Sequence, residues 1–390
     1  MKTIRKFSQR LSSIVAAIIT TVMLLNCQPA YSDDTGKAPE SVPEKDQSIM
    51  LAILLDTSNS MDGLIDQAKS QLWKIVNDLA GAKCNDGSRP SIKIALYEYG
   101  NDGLPSSEGY IRLVSPLTQD LDLISEKLFA LTTNGGNEYC GYVINTSLKQ
   151  LDWSSSKADL KMVFIAGNEP FTQGPIPYQA ACALAKEKDV IINTIFCGSF
   201  SEGVETSWKK GAELTNGTYV SIQQDRKTVY IPSPYDDRID ALNGQLNNTY
   251  IYYGRSGSSK KEQQALQDSN AERYGQANKV ERAVSKSTHA YKNSTWDLVD
   301  AAEDDEKAIE KAEEEYLPDD MKTMTIDQRK TYVKQKSAER TAIQKEIYEL
   351  SEKRRQYIAQ QNVSQENSML DAAMLKAIRE NGKTKNLSWQ

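Results

Sequence analysis

The chain predicts an α/β fold: a doubly wound, mostly parallel sheet with helices on both faces, followed by an α-helical C-terminal region. Three observations predict it. From Ser48 to about Tyr253, short apolar runs alternate with amphipathic stretches of helical period. The first run, Met50 to Leu55, is continuously apolar, as a strand buried on both faces requires. After about Tyr253 strand-like runs vanish and the segment is rich in Ala, Glu, Lys, Gln and Arg. At 390 residues the chain is long enough for a well-buried core and a second unit.

The first 32 residues read as an export signal. Lys2, Arg5, Lys6 and Arg10 form a basic start, and Leu11 to Leu25 is an uncharged stretch too short for a comfortable membrane span. Two processing routes are open. Leu24-Leu25-Asn26-Cys27 resembles a lipoprotein box, which would end the signal at 26 and place a lipid on Cys27. Pro29-Ala30-Tyr31-Ser32 resembles an ordinary signal-peptidase site with cleavage before Asp33. Both routes put the mature protein outside the cytoplasm: periplasmic, secreted or lipid-anchored at a bacterial envelope. No other segment is apolar enough to span a bilayer. Residues 33–47, with Gly36, Pro39 and Pro43, read as a linker.

The sheet domain is expected over 48–253. Met50 to Leu55 is its first strand, and Asp62 to Leu79 a helix with Leu64, Ala68, Leu72, Ile75 and Leu79 on one face. Ile92 to Tyr99 and Tyr110 to Val114 are strands joined by a short polar link, which predicts a hairpin. Leu121 to Leu131 and Tyr142 to Leu151 are helices. Leu160 to Ala166 is a strand, Tyr178 to Lys188 a helix, and Val190 to Phe196 a strand. Ser207 to Leu214 is a short helix and Tyr219 to Ile222 the last strand.

Residues 254–390 read as helical. Ser256-Gly257-Ser258-Ser259 looks like a hinge, and Leu317-Pro318-Asp319-Asp320 breaks the region in two. Ile343, Ile347, Leu350 and Tyr357 are spaced as a short coiled-coil seam or one side of a helical hairpin. The tyrosines at 230, 235, 250, 252 and 253 read as packing of the domain junction, with a peptide- or glycan-binding surface as the alternative.

Composition narrows the function. A net charge of -6 argues against a nucleic-acid binder. The single histidine, His289, has no histidine partner and lies in a polar helical segment, so Ser-His-Asp, Cys-His and His-bearing zinc catalysis lack their residues. Apart from Cys27 there are Cys84, Cys140, Cys182 and Cys197, which allow three pairings in an oxidising compartment. The layout puts Cys182 and Cys197 at the same end of the sheet, which favours a Cys182–Cys197 disulfide.

The most informative run is Ile53-Leu54-Leu55-Asp56-Thr57-Ser58-Asn59-Ser60-Met61. An apolar strand stops at an aspartate, and two hydroxyls follow at alternate positions before a helix. These hard oxygen donors suit Mg²⁺, Mn²⁺ or Ca²⁺ rather than zinc. The run resembles the Asp-x-Ser-x-Ser metal-ion-dependent adhesion site (MIDAS) of von Willebrand factor A (vWA) domains. The resemblance covers roughly Ser48 to Tyr250. It implies a six-stranded sheet and a binding mode in which a partner protein's carboxylate completes the ion's coordination. It also implies ligands from two further loops. In Thr133-Asn134-Gly135-Gly136-Asn137-Glu138, Asn137 stands where the family usually has threonine. In Phe164-Ile165-Ala166-Gly167-Asn168-Glu169-Pro170, Asn168 stands where it usually has aspartate. The implied metal ligands are therefore Asp56, Ser58, Ser60, Asn137 and Asn168, with Glu138 and Glu169 as auxiliaries able to restore charge. Asn101 and Asp102 read as turn formers on the same rim. The chain is also similar to uncharacterised exported bacterial vWA proteins with a helical tail, chiefly in Tyr97-Glu98-Tyr99-Gly100-Asn101-Asp102 and Phe164 to Phe171.

The leading expectation is a non-catalytic, metal-assisted protein–protein interaction module. A metal-free envelope scaffold acting through its helical tail is the alternative. A metal-dependent hydrolase using Glu138 or Glu169 is a third reading.

Overall fold

The computed structural model describes residues 47–227, 230–361 and 369–389. The export signal, its processing sites, Cys27 and nearly all of the linker lie outside the described residues. The strands are β1 (Ser48–Asp56), β2 (Ala82–Lys83), β3 (Ser91–Tyr99), β4 (Ile111–Thr118), β5 (Leu160–Gly167), β6 (Ile191–Cys197), β7 (Tyr219–Ile222) and β8 (Ser388–Trp389). The helices are α1 (Asp62–Ala80), α2 (Leu121–Phe129), α3 (Cys140–Gln150), α4 (Tyr178–Glu187), α5 (Phe200–Glu205), α6 (Trp208–Glu213) and α7 (Asp236–Asn247). They continue with α8 (Gly257–Arg273), α9 (Gln276–Lys286), α10 (Leu298–Asp304), α11 (Ala308–Lys311), α12 (Asp319–Lys322), α13 (Ile326–Gln360) and α14 (Leu370–Lys383). None of the described helices is long and apolar enough to cross a membrane.

Six strands form one sheet in the order β4-β3-β1-β5-β6-β7, parallel except for the β3–β4 pair. The sheet is thus the expected mostly parallel one, and the β3–β4 hairpin is as read from the sequence. β4 runs on through Pro116 to Thr118, past the expected end at Val114. It is the outer strand, where a proline's missing donor costs no ladder bond. β1 lies between β3 and β5, so every residue from Ser48 to Asp56 is buried. Its side chains alternate: Ile49, Leu51, Ile53 and Leu55 enter the core under α1, α2 and α14, while Ala52 and Leu54 enter the core under α3, α4 and α6.

The same alternation corrects the disulfide expectation. Cys182 belongs to the second of these cores and Cys197 to the first, on opposite faces of the sheet. The intervening sheet separates the two sulfurs. All four described cysteines are free, buried thiols.

The helical region packs back on the sheet domain. Its last helix, α14, buries Leu370, Ala373, Met374, Ala377 and Ile378 against the first core. Beyond it, β8 pairs antiparallel with β2. α8 and α9 cover α1 and α2 through a buried ion cluster. The Arg282 guanidinium contacts Asp122 at 2.7 Å and Asp268 at 2.9 Å, and it stacks 4.3 Å from the Trp73 ring. Lys286 meets Asp268 at 2.8 Å, and the Tyr291 hydroxyl donates to Asp122 at 2.6 Å. A second cluster joins α13 to α10, where Arg340 reaches Asp297 at 2.6 Å and Asp300 at 2.5 Å over the face of Tyr250. In the expected seam, Ile343 and Ile347 enter the first core and Leu350 packs on it, while Tyr357 meets the ring of Tyr235. The helix α13 thus spends these residues on its own chain, packed on α7, α10 and α9. Tyr250 is buried in the same way, stacked on Trp296.

Removing one partner of such a cluster leaves uncompensated buried charge, which costs more than the pair contributes. Arg282→Met should lower unfolding stability by about 3–5 kcal/mol, because Asp122 is then buried without its cation. Urea unfolding followed by tryptophan fluorescence measures it, and a change below about 1 kcal/mol would mean the cluster is dispensable.

Candidate metal centre

β1 delivers Asp56 to the carboxyl end of the sheet, where ligands of open α/β sheets bind. The chain then turns through Thr57 and an extended Ser58 into a 3-10 turn, Asn59–Met61, that leads directly into α1. One carboxylate oxygen, Asp56 Oδ1, accepts the Ser58 N–H at 2.8 Å and holds the turn. The other, Oδ2, is buried with no donor. The Ser58 and Ser60 hydroxyls lie 3.2 Å apart, and the Asn168 amide donates to Ser60 Oγ at 3.1 Å. The Asn168 Oδ1 atom is buried and unpartnered too.

The remaining donor comes from the loop before α3. Glu138 is buried, its N–H donates to Gln173 Oε1 at 2.7 Å, and its Oε2 has no partner. Two bare backbones make room for the acids. A Cβ on Gly100, whose φ of +79° already favours glycine, would lie 2.7 Å from Glu138 Cγ and 2.8 Å from Asp56 Oδ1. One on Gly167 would lie 3.0 Å from Asp56 Oδ2 and closer still to the Tyr99 hydroxyl. That hydroxyl donates to Ala166 O at 2.9 Å and seals the floor.

Three buried oxygens without donors, Asp56 Oδ2, Glu138 Oε2 and Asn168 Oδ1, therefore gather beside two hydroxyls. Buried oxygens of this kind are costly when unsatisfied. In the absence of a cation the burden falls on protons. Burial, and then the facing Asp56, push the Glu138 carboxyl far above the usual carboxylate range, and burial raises Asp56 as well. An oxygen-loving divalent cation fits this donor set, since it would satisfy all three oxygens and displace the proton. Among the described residues no three His, Cys, Asp or Glu side chains form a metal-binding group, and the centre depends on hydroxyl and amide oxygens beside its two acids.

Glu138 faces Asp56, so the cradle holds two carboxylates, brought by different loops. Asn137 itself is exposed at the rim, and Glu169 is exposed beside Asn168. Glu169 acts on Asp56 and Glu138 through its charge, and its carbonyl accepts the Trp208 indole N–H at 2.8 Å. Asn101 is a turn former as read: its amide donates to Thr132 O at 3.0 Å and its Oδ1 accepts Gly103 N–H at 2.9 Å. Sequence reasoning missed Gly100, Gly167 and Tyr99 as the floor of the site, and Gln224, whose amide donates to Ser60 O at 2.7 Å. Glycines directly after two parallel strands were the available signal for the first two.

A six-stranded, mostly parallel sheet with one antiparallel outer pair makes this a doubly wound α/β domain, with an aspartate-hydroxyl cradle at the end of a central strand. No protein-family model and no curated protein matches the chain. Solved structures to which it is similar include a VWA domain and a von Willebrand factor type A protein from Catenulispora acidiphila. The conserved hypothetical protein BatB from Bacteroides thetaiotaomicron is 16% identical over 45% of this chain and 90% of its own, with a TM-score of 0.34. The SpRpn10 VWA domain is 19% identical over 45% of this chain and 88% of its own, with a TM-score of 0.33. Proximal thread matrix protein 1 from the mussel byssus, a structure with a zinc-occupied MIDAS motif, is 14% identical over 46% of this chain and 43% of its own, with a TM-score of 0.34.

Proposed function

We propose that the chain is an extracytoplasmic, non-catalytic interaction module that binds a protein partner through a divalent ion, Mg²⁺ or alternatively Mn²⁺ or Ca²⁺. The gathering of three buried, donorless oxygens around the Asp56 loop carries this reading. Asp56, Ser58, Ser60, Glu138 and Asn168 would hold the ion, with Asn137 and Glu169 at the rim. The ion would supply a positive charge that a partner's carboxylate can share. The chain's own part is to fix the oxygens on rigid strand ends and to keep one side of the cradle open to the rim. The basic, then apolar first 25 residues support a location outside the cytoplasm, and a lipid on Cys27 would link the chain to the membrane.

Calorimetric titration of Mg²⁺, Mn²⁺ and Ca²⁺ into the full chain, beside Asp56→Ala, tests it. Saturable heat that Asp56→Ala abolishes is the expected result. The metal-free scaffold is favoured by the burial of Glu138 opposite Asp56, which raises the Glu138 carboxyl and so favours its neutral form beside Asp56 without an ion. No heat from a folded chain with any of the three ions would move the reading there.

A further inference from the structure

We propose that the partner offers its carboxylate from within a run of lysines or arginines. This rests on the metal-assisted reading and names the partner's chemistry. Around the cradle, four exposed carboxylates occupy the rim: Asp62, Asp102, Glu169 and Asp225. Each is tied to the site by geometry or charge. Asp62 is hydrogen-bonded by the Thr133 hydroxyl at the start of the Glu138 loop. The Asp102 N–H donates to Gly135 O at 2.5 Å, in the same loop. Asp225 Oδ1 lies 2.7 Å from where a Cβ on Gly63 would be, one residue into α1 past Asp62. Glu169 is exposed and directly follows Asn168, whose amide donates to Ser60 Oγ.

Cations stand at part of this rim: Lys69, whose ammonium donates to Leu131 O at 3.1 Å, faces Asp62, and Arg226 and Lys227 follow Asp225 in the chain, while Asp102 and Glu169 lie on the other two loops. A divalent ion neutralises the two buried acids and leaves the four exposed ones. Asp56 Oδ2 and Glu138 Oε2, both on buried side chains and both without donors, mark the point inside this ring that a ligand must reach. A carboxylate arriving there enters the field of the rim acids, which is screened over about 8 Å at physiological salt. Alone, it has the ion's attraction reduced by the rim acids, and among further acids its neighbours are repelled by them. With cations on either side it meets a complementary pattern, and like-charge partners are rejected by the same field.

The test uses the full chain with Mg²⁺ and three synthetic peptides of equal length: one aspartate flanked by lysines, one flanked by glutamates, and the lysine peptide with Asp→Asn. Fluorescence anisotropy should show the lysine-flanked aspartate binding at least about tenfold tighter than the other two. That preference should shrink about threefold or more in Asp102→Asn/Glu169→Gln and on raising the salt to about 0.5 M. Equal affinity for lysine and glutamate flanks, undiminished binding of the Asp→Asn peptide, or no binding of the lysine peptide at millimolar concentration overturns the proposal. Mg²⁺ heat in the same preparation separates the two readings. If it is present, only the partner's chemistry has failed; if it is absent, the metal site has failed and takes this inference with it.

Discussion

Glu138→Gln should weaken Mg²⁺ binding by about 100-fold while raising the melting temperature of the ion-free chain. The two effects share one cause. Glu138 is a buried acid facing a second buried acid, and its Oε2 has no donor. Without a cation this is a local defect, and holding a proton against Asp56 only partly repairs it. Glutamine keeps the shape, removes the repulsion, and brings an amide N–H₂ that can donate to Asp56 Oδ2. A gain of about 1 kcal/mol follows from satisfying one buried oxygen. With a cation, the same change removes one of two charged ligands from a set otherwise made of hydroxyls and an amide, and hard-cation affinity follows ligand charge. Calorimetry gives the first effect and thermal unfolding in chelator the second. A chain destabilised by Glu138→Gln but still binding Mg²⁺ with unchanged affinity would assign Glu138 a purely structural place and return the ligand role to Asn137.

Much of this was legible in the residues. β1 is apolar without interruption because both its neighbours and both helical layers cover it, and that left Asp56 as the abrupt end of a buried strand. The Asp56-Ser58-Ser60 run is local, so the approach of its side chains follows from five residues of backbone. Glu138 was harder to read. Which of the adjacent Asn137 and Glu138 points inward depends on the turn before α3 and on Gln173 taking the Glu138 N–H, a contact 35 residues away. The disulfide expectation failed for a related reason. Chain order placed Cys182 and Cys197 at one end of the sheet, but the face each occupies is set by the phase of a helix and of a strand, and these phases are opposite. The helical region was legible as helix and not as packing. α13 has almost no apolar stripe, and its buried contacts include Arg329, Arg340 and Arg354, residues that sequence reading assigns to solvent.

Removing residues 369–390 should prevent the sheet domain from folding, even though every strand of the main sheet precedes Tyr253. α14 lies on α1, β5, β6 and β7, and its five buried apolar residues fill the first core beside Leu72 and Ile75. Burial of such side chains is worth roughly 1–3 kcal/mol each, so their loss approaches the total stability of an ordinary domain. Polar groups are stranded as well. The Gln67 and Gln71 side-chain oxygens accept the Leu370 and Asp371 N–H groups at 3.0 and 2.8 Å, which satisfies the first turn of α14. The Gln67 amide meanwhile donates to Gln223 O and Gln224 O, so one side chain on α1 ties the end of the sheet to the start of α14. Asn381 adds a hydrogen bond to Asn193 Oδ1 in β6 at 3.1 Å. A chain ending at Tyr253 would also expose the Trp73 face that Arg282 covers and leave Asp122 without its cation. Circular dichroism and scanning calorimetry of 47–253, of 47–361 and of the full chain separate these contributions. Cooperative melting is expected only for the full chain. A sharp, reversible transition in 47–253 would show that the sheet stands alone and that the helical region is an appendage to it.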